Sequence, residues 1–345
     1  MQKIKHVSIF IACLLICLVS SLLFVGCGEN NDNKIRLNEV THSIFYAPLY
    51  VAYNLGYFED EGLDVEIESS SGSDASMTAL ISGSADIVLV GPEQVVYADG
   101  KNNQPVIFGQ LTQKDGSFFV SRDDVKDFTL QSLKGTTVIA GRAGGMPAMT
   151  LEYIIRNAGL TIGTNVASGE VNLRTDVSFA MIGSEFISSQ CEYCTLFEPT
   201  ATNLQKEGNG YVLNPVGDFS GYLPYTVFAA TESYLENHGD NAEKFLKAVY
   251  NGYQYIATQS ATDAAKALQP SFSGMTIEEL EIAVNQYLAI DAWSDDFILT
   301  EEAFDTMLDI INTTQGEDLG VTYSPKYTTI VDNSIAEGMA ESITD

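Results

Sequence analysis

From Ile35 onward, short apolar runs of strand length alternate with segments of helical period, and this limits the chain to layered α/β architectures. Residues 35–40 read as a strand, 47–58 as a helix ending near Gly56, 65–67 as an alternating strand, and 74–81 as a helix with Asp74 near its start. Residues 87–90 are wholly apolar and stop at Gly91-Pro92, and 105–111 form another strand. A second series follows, with strands at 118–120 and 137–140, a glycine-rich stretch at 141–147 and a helix over 148–157. Extended segments at 176–181 and 194–197, a helix at 200–207 and a strand at 211–216 complete it. After a strand at 226–230 the pattern is helical: Phe245, Val249, Tyr253 and Ile256 share one face, as do Leu280, Val284, Tyr287 and Leu288, while Phe304, Leu308 and Ile311 mark a third helix. The expected sheets are largely parallel, and no internal repeat suggests a solenoid.

Two βα series, a returning strand and a helical tail predict two lobes, 35–114 with 224–345 and 115–223, joined by two hinge crossings. The chain would leave the first lobe at Lys114-Asp115-Gly116 and return at Gly221-Tyr222-Leu223-Pro224. Such lobes close on a ligand held at the strand ends. Two independent α/β domains would show the same periodicity.

The N-terminus predicts export. Lys3 and Lys5 precede an apolar run over 7–25 that stops at Gly26-Cys27, the parts of a secretory signal. The stretch Leu23-Phe24-Val25-Gly26-Cys27 resembles the lipobox of bacterial lipoproteins, with Phe24 where Leu is usual, and implies acylation of Cys27 after removal of residues 1–26. An uncleaved anchor is the alternative, since roughly 20 apolar residues span a bilayer. Either way the body lies outside, because the two lysines hold the N-terminus in the cytoplasm. Residues 27–34 read as the acylated Cys and a polar linker.

The formal charge of −29 argues against nucleic-acid binding and against adhesion to anionic lipid. Of five cysteines, Cys13 and Cys17 lie in the leader, leaving Cys191 and Cys194 beside Cys27. A buried thiol pair or a local disulfide is favoured over zinc, because only His42 and His238 remain to complete a metal site and their spacing is not ligand-like. No metal and no cofactor are expected.

The run Val40-Thr41-His42-Ser43-Ile44-Phe45-Tyr46-Ala47-Pro48-Leu49-Tyr50-Val51-Ala52, followed by Gly56-Tyr57-Phe58-Glu59-Asp60-Glu61-Gly62-Leu63-Asp64-Val65, resembles the opening of the NMT1/THI5-like family, which includes binding proteins of ABC importers. Ala79-Leu80-Ile81-Ser82-Gly83-Ser84-Ala85-Asp86-Ile87, Leu133-Lys134-Gly135 and Phe197-Glu198-Pro199-Thr200-Ala201 keep the family's order. The resemblance covers nearly all of the chain beyond the leader. It implies a two-lobed periplasmic-binding-protein type II fold with a solute between the lobes and a permease and ATPase as partners. Ligands in the family and its nearer relatives include thiamine-pyrimidine precursors, riboflavin, nitrate, taurine and alkyl sulfonates. The family also contains a fungal enzyme that makes the thiamine pyrimidine from its own histidine and pyridoxal phosphate. That enzyme carries a cysteine cluster near the returning strand, whereas Gly221-Tyr222-Leu223-Pro224-Tyr225-Thr226-Val227-Phe228 has no Cys.

Candidate site residues follow from strand-end position. Thr41, His42, Ser43 and Tyr46 occupy the first strand-to-helix loop, where His42 either contacts solute or packs, and Tyr46 either stacks on a planar ligand or joins the core. Ser71, Gly72 and Ser73 precede the second helix, where Asp74 could equally serve as a cap. Gly91, Pro92 and Glu93 end the apolar strand, and Glu93 either meets ligand or complements a helix dipole. Arg142, Gly144 and Gly145 lie in a loop that lacks the Gly-x-x-x-x-Gly-Lys-Ser/Thr order of a nucleotide-binding loop. Glu198 could accept from amino groups of a heterocycle or stabilise the helix after Pro199. Tyr222 and Tyr225 lie at the second crossing. The scarcity of cations beside these tyrosines favours a pyrimidine-like or flavin-like solute over sulfonate or nitrate. The expectation is a monomeric, lipid-anchored solute-binding protein on the outer membrane face, without catalysis. A pyrimidine-synthesising enzyme and a ligand sensor are the alternatives.

Overall fold

The strands gather into two five-stranded sheets. A computed structural model describes residues 33–344, so the leader and Cys27 lie outside the described residues. The first sheet contains β1 (Lys34–Glu39), β2 (Asp64–Ser69), β3 (Ile87–Val90) and β4 (Pro105–Thr112). The second contains β5 (Phe118–Ser121), β6 (Thr137–Ile139), β7 (Asn172–Arg174), β8 (Tyr193–Leu196) and β9 (Tyr211–Pro215). Then β10 (Thr226–Thr231) returns, giving the orders β2-β1-β3-β10-β4 and β7-β6-β8-β5-β9. The helices that matter below are α1 (Ala47–Asn54), α2 (Tyr57–Asp60), α3 (Ser73–Ile81), α4 (Glu93–Tyr97), α5 (Met146–Asn157), α6 (Ile182–Ser188) and α7 (Thr200–Lys206). The short α8 (Gly217–Ser220) lies in the second crossing, and α9 (Glu232–Thr258), α10 (Ala261–Leu268), α11 (Ile277–Ala289) and α12 (Glu301–Ile311) form much of the tail.

Alternation along the strands covers both faces of the second sheet. Phe118 and Val120 of β5 join one apolar cluster while Phe119 between them joins another, as side chains of period two must. Likewise, Met146 and Met149 of α5 enter the larger cluster, whereas Leu151 and Ile155 enter the smaller. That larger cluster runs on into the first sheet through Phe45, Phe197 and Tyr225. Four tail helices begin at hydroxyl caps: Thr231, Ser260, Thr276 and Thr300 each accept the amide three residues on.

Three expectations need correction. The sheets are mixed rather than largely parallel. β1–β3, β6–β7 and β6–β8 pair parallel, but β10 is antiparallel to β3 and β4, and β5 is antiparallel to β8 and β9. Each reversed strand is the first one reached after a crossing, so it enters its sheet from the opposite side. The extended segment expected at 176–181 is instead a turn ending in a 3-10 helix (Phe179–Met181), and the strand lies earlier, at Asn172–Arg174. This polar edge strand is held by its ladder to β6, so no apolar pattern marks it. The helix expected over 47–58 breaks at Gly56, whose φ of 79° interrupts α1 and α2.

Candidate functional site

The crossings run over 113–117 and 216–225, and rings from both sheets converge beside them. Phe45 sits in the 3-10 turn Ile44–Tyr46, capped by Ser43, whose Oγ accepts the Phe45 amide. Trp293 Nε1 donates to the Phe45 carbonyl at 2.8 Å and fixes this turn against the tail. The Phe45 ring then meets Phe197 at 5.2 Å, Tyr287 at 5.2 Å and Tyr225 at 5.8 Å between centroids. It lies directly over the first crossing, because a Cβ on Gly116 would stand 2.2 Å from Phe45 Cε2. Tyr46, adjacent in the chain, is buried in the same cluster.

Buried oxygens line this aromatic cluster. Glu93 is 1% exposed, and its carboxylate folds back over Gly91, where a Cβ would lie 2.0 Å from Oε2. Oε1 accepts from Gln94 at 3.3 Å, while Oε2 has no partner. Burial pushes the Glu93 carboxyl up to about 7, opposed by Gln94 and by the Met146 amide at the start of α5. Asp115, in the first crossing and 1% exposed, accepts from the Ser117 amide at 2.8 Å and the Ser117 hydroxyl at 2.6 Å through Oδ1. Its Oδ2 is unpartnered, and burial pushes this carboxyl up to about 6. The Tyr225 hydroxyl lies beside Asp115 without closing a hydrogen bond and is also unpartnered. Buried polar atoms are nearly always satisfied; Asp115 Oδ2 and the Tyr225 hydroxyl face each other, whereas Glu93 Oε2 has no partner and marks a place where another molecule supplies the missing bond.

The structure brings Tyr46, Glu93 and Tyr225 together, with Gly91 and Pro92 buried beneath Glu93. Other candidates sit at the rim. Arg142 is exposed and reaches Asp74 Oδ1 at 3.3 Å from the opposite sheet, passing over Gly72 beside Ser71 and Ser73. Gly144 accepts from Tyr97 through its carbonyl, and Gly145 precedes the first residue of α5. Thr41 is partly exposed, and Ser43 serves the 3-10 cap.

Three candidates are occupied within the protein. His42 Nε2 lies 2.9 Å from the Ser271 carbonyl, and Nδ1 lies 2.7 Å from the Tyr50 hydroxyl and 3.3 Å from Glu39 Oε1. Its ring stacks on Phe272 at 4.4 Å, and the bond to Glu39 raises its pKa. Glu198 holds the Thr202 amide at 3.1 Å and the Thr202 hydroxyl at 2.7 Å, which is the helix-stabilising role. Tyr222 is 59% exposed, donates to Asp291 at 2.7 Å and carries Lys114 over its ring, outside the buried cluster.

Asp115, Phe45, Phe197 and Tyr287 were not among the sequence candidates for solute contact. Asp115 lay in the predicted crossing, and Phe45 and Phe197 lay in the runs that carry the family resemblance. Ser69, Glu39 and His42 are linked, but the carboxylate stands between serine and histidine, which is the wrong connectivity for an activated nucleophile. Cys191 and Cys194 are buried free thiols, and no metal-ligating cluster occurs among the described residues.

Two five-stranded mixed sheets joined by two crossings, with aromatic rings and buried carboxyls at their junction, define the two-lobed periplasmic-binding-protein fold. The chain belongs to the NMT1/THI5-like family, whose model matches residues 44–262. It is 39% identical over 286 residues to "Putative binding protein YtlA" of Bacillus subtilis (strain 168), covering 82% of this chain and 84% of that protein. Among solved structures it is similar to the alkanesulfonate-binding protein SsuA of Xanthomonas axonopodis pv. citri bound to MOPS, with a TM-score of 0.68 and 13% identity over 87% of this chain and 99% of that one. It is also similar to the nitrate-binding protein NrtA of Synechocystis PCC 6803, with a TM-score of 0.65 and 15% identity over 90% and 89% of the two chains.

Proposed function

We propose that this chain is an extracytoplasmic solute-binding lipoprotein that delivers a small heteroaromatic solute, such as a thiamine-pyrimidine precursor or a riboflavin-like ring system, to an ABC permease and its ATPase. The observation that carries the solute class is the cluster of Phe45, Tyr46, Phe197, Tyr225 and Tyr287 edged by the unpartnered oxygens of Glu93 and Asp115. Rings stack on rings, and directed oxygens fix orientation. The family, the relative's name and the fold support capture and release rather than turnover. Acylation of Cys27 would hold a monomer near the permease on the outer membrane face.

Nitrate, taurine or an alkyl sulfonate is the second reading, favoured by what the similar solved structures bind. Two buried carboxyls oppose it, since an anion beside them meets like charge in a poorly screened site. Thermal unfolding in the presence of aminopyrimidines, riboflavin, taurine and nitrate decides between the two. A ligand at a hundred times its Kd adds about 2.7 kcal/mol. A shift with taurine or nitrate alone would reject the heteroaromatic assignment.

A further inference from the structure

The cleft's two carboxyls stand on different parts of the chain, yet both address Tyr225. Glu93 begins α4, just after β3, and Asp115 comes from the first crossing. The hydroxyl of Tyr225, in the second crossing, feels the negative charge of both. Each carboxyl uses one oxygen in a close hydrogen bond within the protein; Glu93 Oε2 is left bare, and Asp115 Oδ2 faces the Tyr225 hydroxyl. The groups acting on Glu93 are the Gln94 amide and backbone amides including that of Met146, and those acting on Asp115 are Ser117 and Tyr225. No lysine or arginine is among them. The arginine of the cleft rim, Arg142, is turned outward and paired with Asp74.

We infer that the solute is a planar organic cation carrying at least two N–H donors, and that Glu93 and Asp115 together select its charge. The inference rests on the reading of this cleft as the solute site. Two ionised carboxylates buried in an aromatic enclosure are costly unless a cation answers them. A delocalised amidinium or protonated aminopyrimidine meets that need with donors in one plane. The faces of Phe45, Phe197 and Tyr225 add attraction for the same charge. A neutral ring would leave Glu93 Oε2 without a charged partner, and an anion would be repelled by both carboxylates.

The test uses the purified protein at pH 8, where both carboxyls are ionised, and three probes of one size and shape: benzamidinium, neutral benzamide and benzenesulfonate. Calorimetric titration should show benzamidinium bound about tenfold or more tighter than benzamide, a difference of about 1.4 kcal/mol, and benzenesulfonate not bound. Asp115→Asn and Glu93→Gln should each lower the benzamidinium-to-benzamide ratio about tenfold. Benzamidinium binding no tighter than benzamide overturns the charge assignment on the unaltered protein, even if neither variant folds. If all three rings bind alike, the cation inference falls while the heteroaromatic reading stands. If taurine or nitrate binds and no ring does, both fall.

Discussion

The Tyr97 hydroxyl, on the first sheet's α4, donates to the carbonyl of Gly144 in the second sheet's glycine loop at 3.1 Å. It lies 3.4 Å from Met149 Sδ as well, so one side chain touches both the loop and the helix that follows. Three further contacts cross in the same region, Tyr153 to Asp309, Arg156 to Glu317 and Arg142 to Asp74, all exposed and each worth little alone. Tyr97 is the better protected member. Removal of its hydroxyl in Tyr97→Phe should lower solute affinity about three- to tenfold, in line with one net hydrogen bond of about 1 kcal/mol. Small-angle scattering should show a wider unliganded envelope, and an unchanged envelope with unchanged affinity would contradict this role.

Gly116 admits the Phe45 ring to the first crossing. Gly116→Ala should therefore destabilise the protein by about 1–3 kcal/mol through overpacking. Urea unfolding is the measurement, and Phe45→Leu in the same chain should recover part of the loss. A neutral Gly116→Ala would mean that the ring moves freely.

Burial gives a pH dependence of definite sign. A carboxyl with a raised folded pKa binds more protons in the folded than in the unfolded state, so stability falls as pH rises between the two values. For Glu93 that window runs from 4.5 to about 7, and for Asp115 from 3.8 to about 6. The neighbours that act on or feel Glu93 are Gln94, the Met146 amide, Tyr46, Tyr97 and Tyr225, none of which titrates in that window. The unliganded protein should lose stability between about pH 4 and 7, at up to about 1.4 kcal/mol per pH unit for each group within its own window. Glu93→Gln should flatten the upper part of that slope, and a wild-type slope in the variant would assign the effect elsewhere.

The anchor and the cleft should separate cleanly. Under the proposed acylation, Cys27→Ser should move the protein from the membrane fraction to the soluble extracytoplasmic fraction while leaving solute affinity within about twofold. Retention of Cys27→Ser in the membrane would instead support the uncleaved apolar anchor.

Much of this architecture was legible because buried strands are apolar runs. Residues 87–90, 118–120 and 226–230 declared themselves that way. Pairing direction did not, since it depends on which edge a strand meets after a crossing, and β7 has no apolar pattern to reveal it. Strand-end position led to Tyr46, Glu93 and Tyr225. Asp115 and Phe45 escaped because their burial is produced by packing between distant segments. His42 looked available for the same reason, as its partners Ser271 and Phe272 lie more than two hundred residues away along the chain. Glu198 was ambiguous locally, and Thr202, one turn on, takes it up.

In the first sheet β10 lies between β3 and β4. Until residue 231 has emerged, those two strands face each other across a gap with their hydrogen-bonding edges open. The second sheet is built from contiguous chain, β5 to β9, whereas the first waits for β10, so the first is finished only after the chain of the second has been made. Until then the two edges stay open to other strands, since unpaired strands recruit one another.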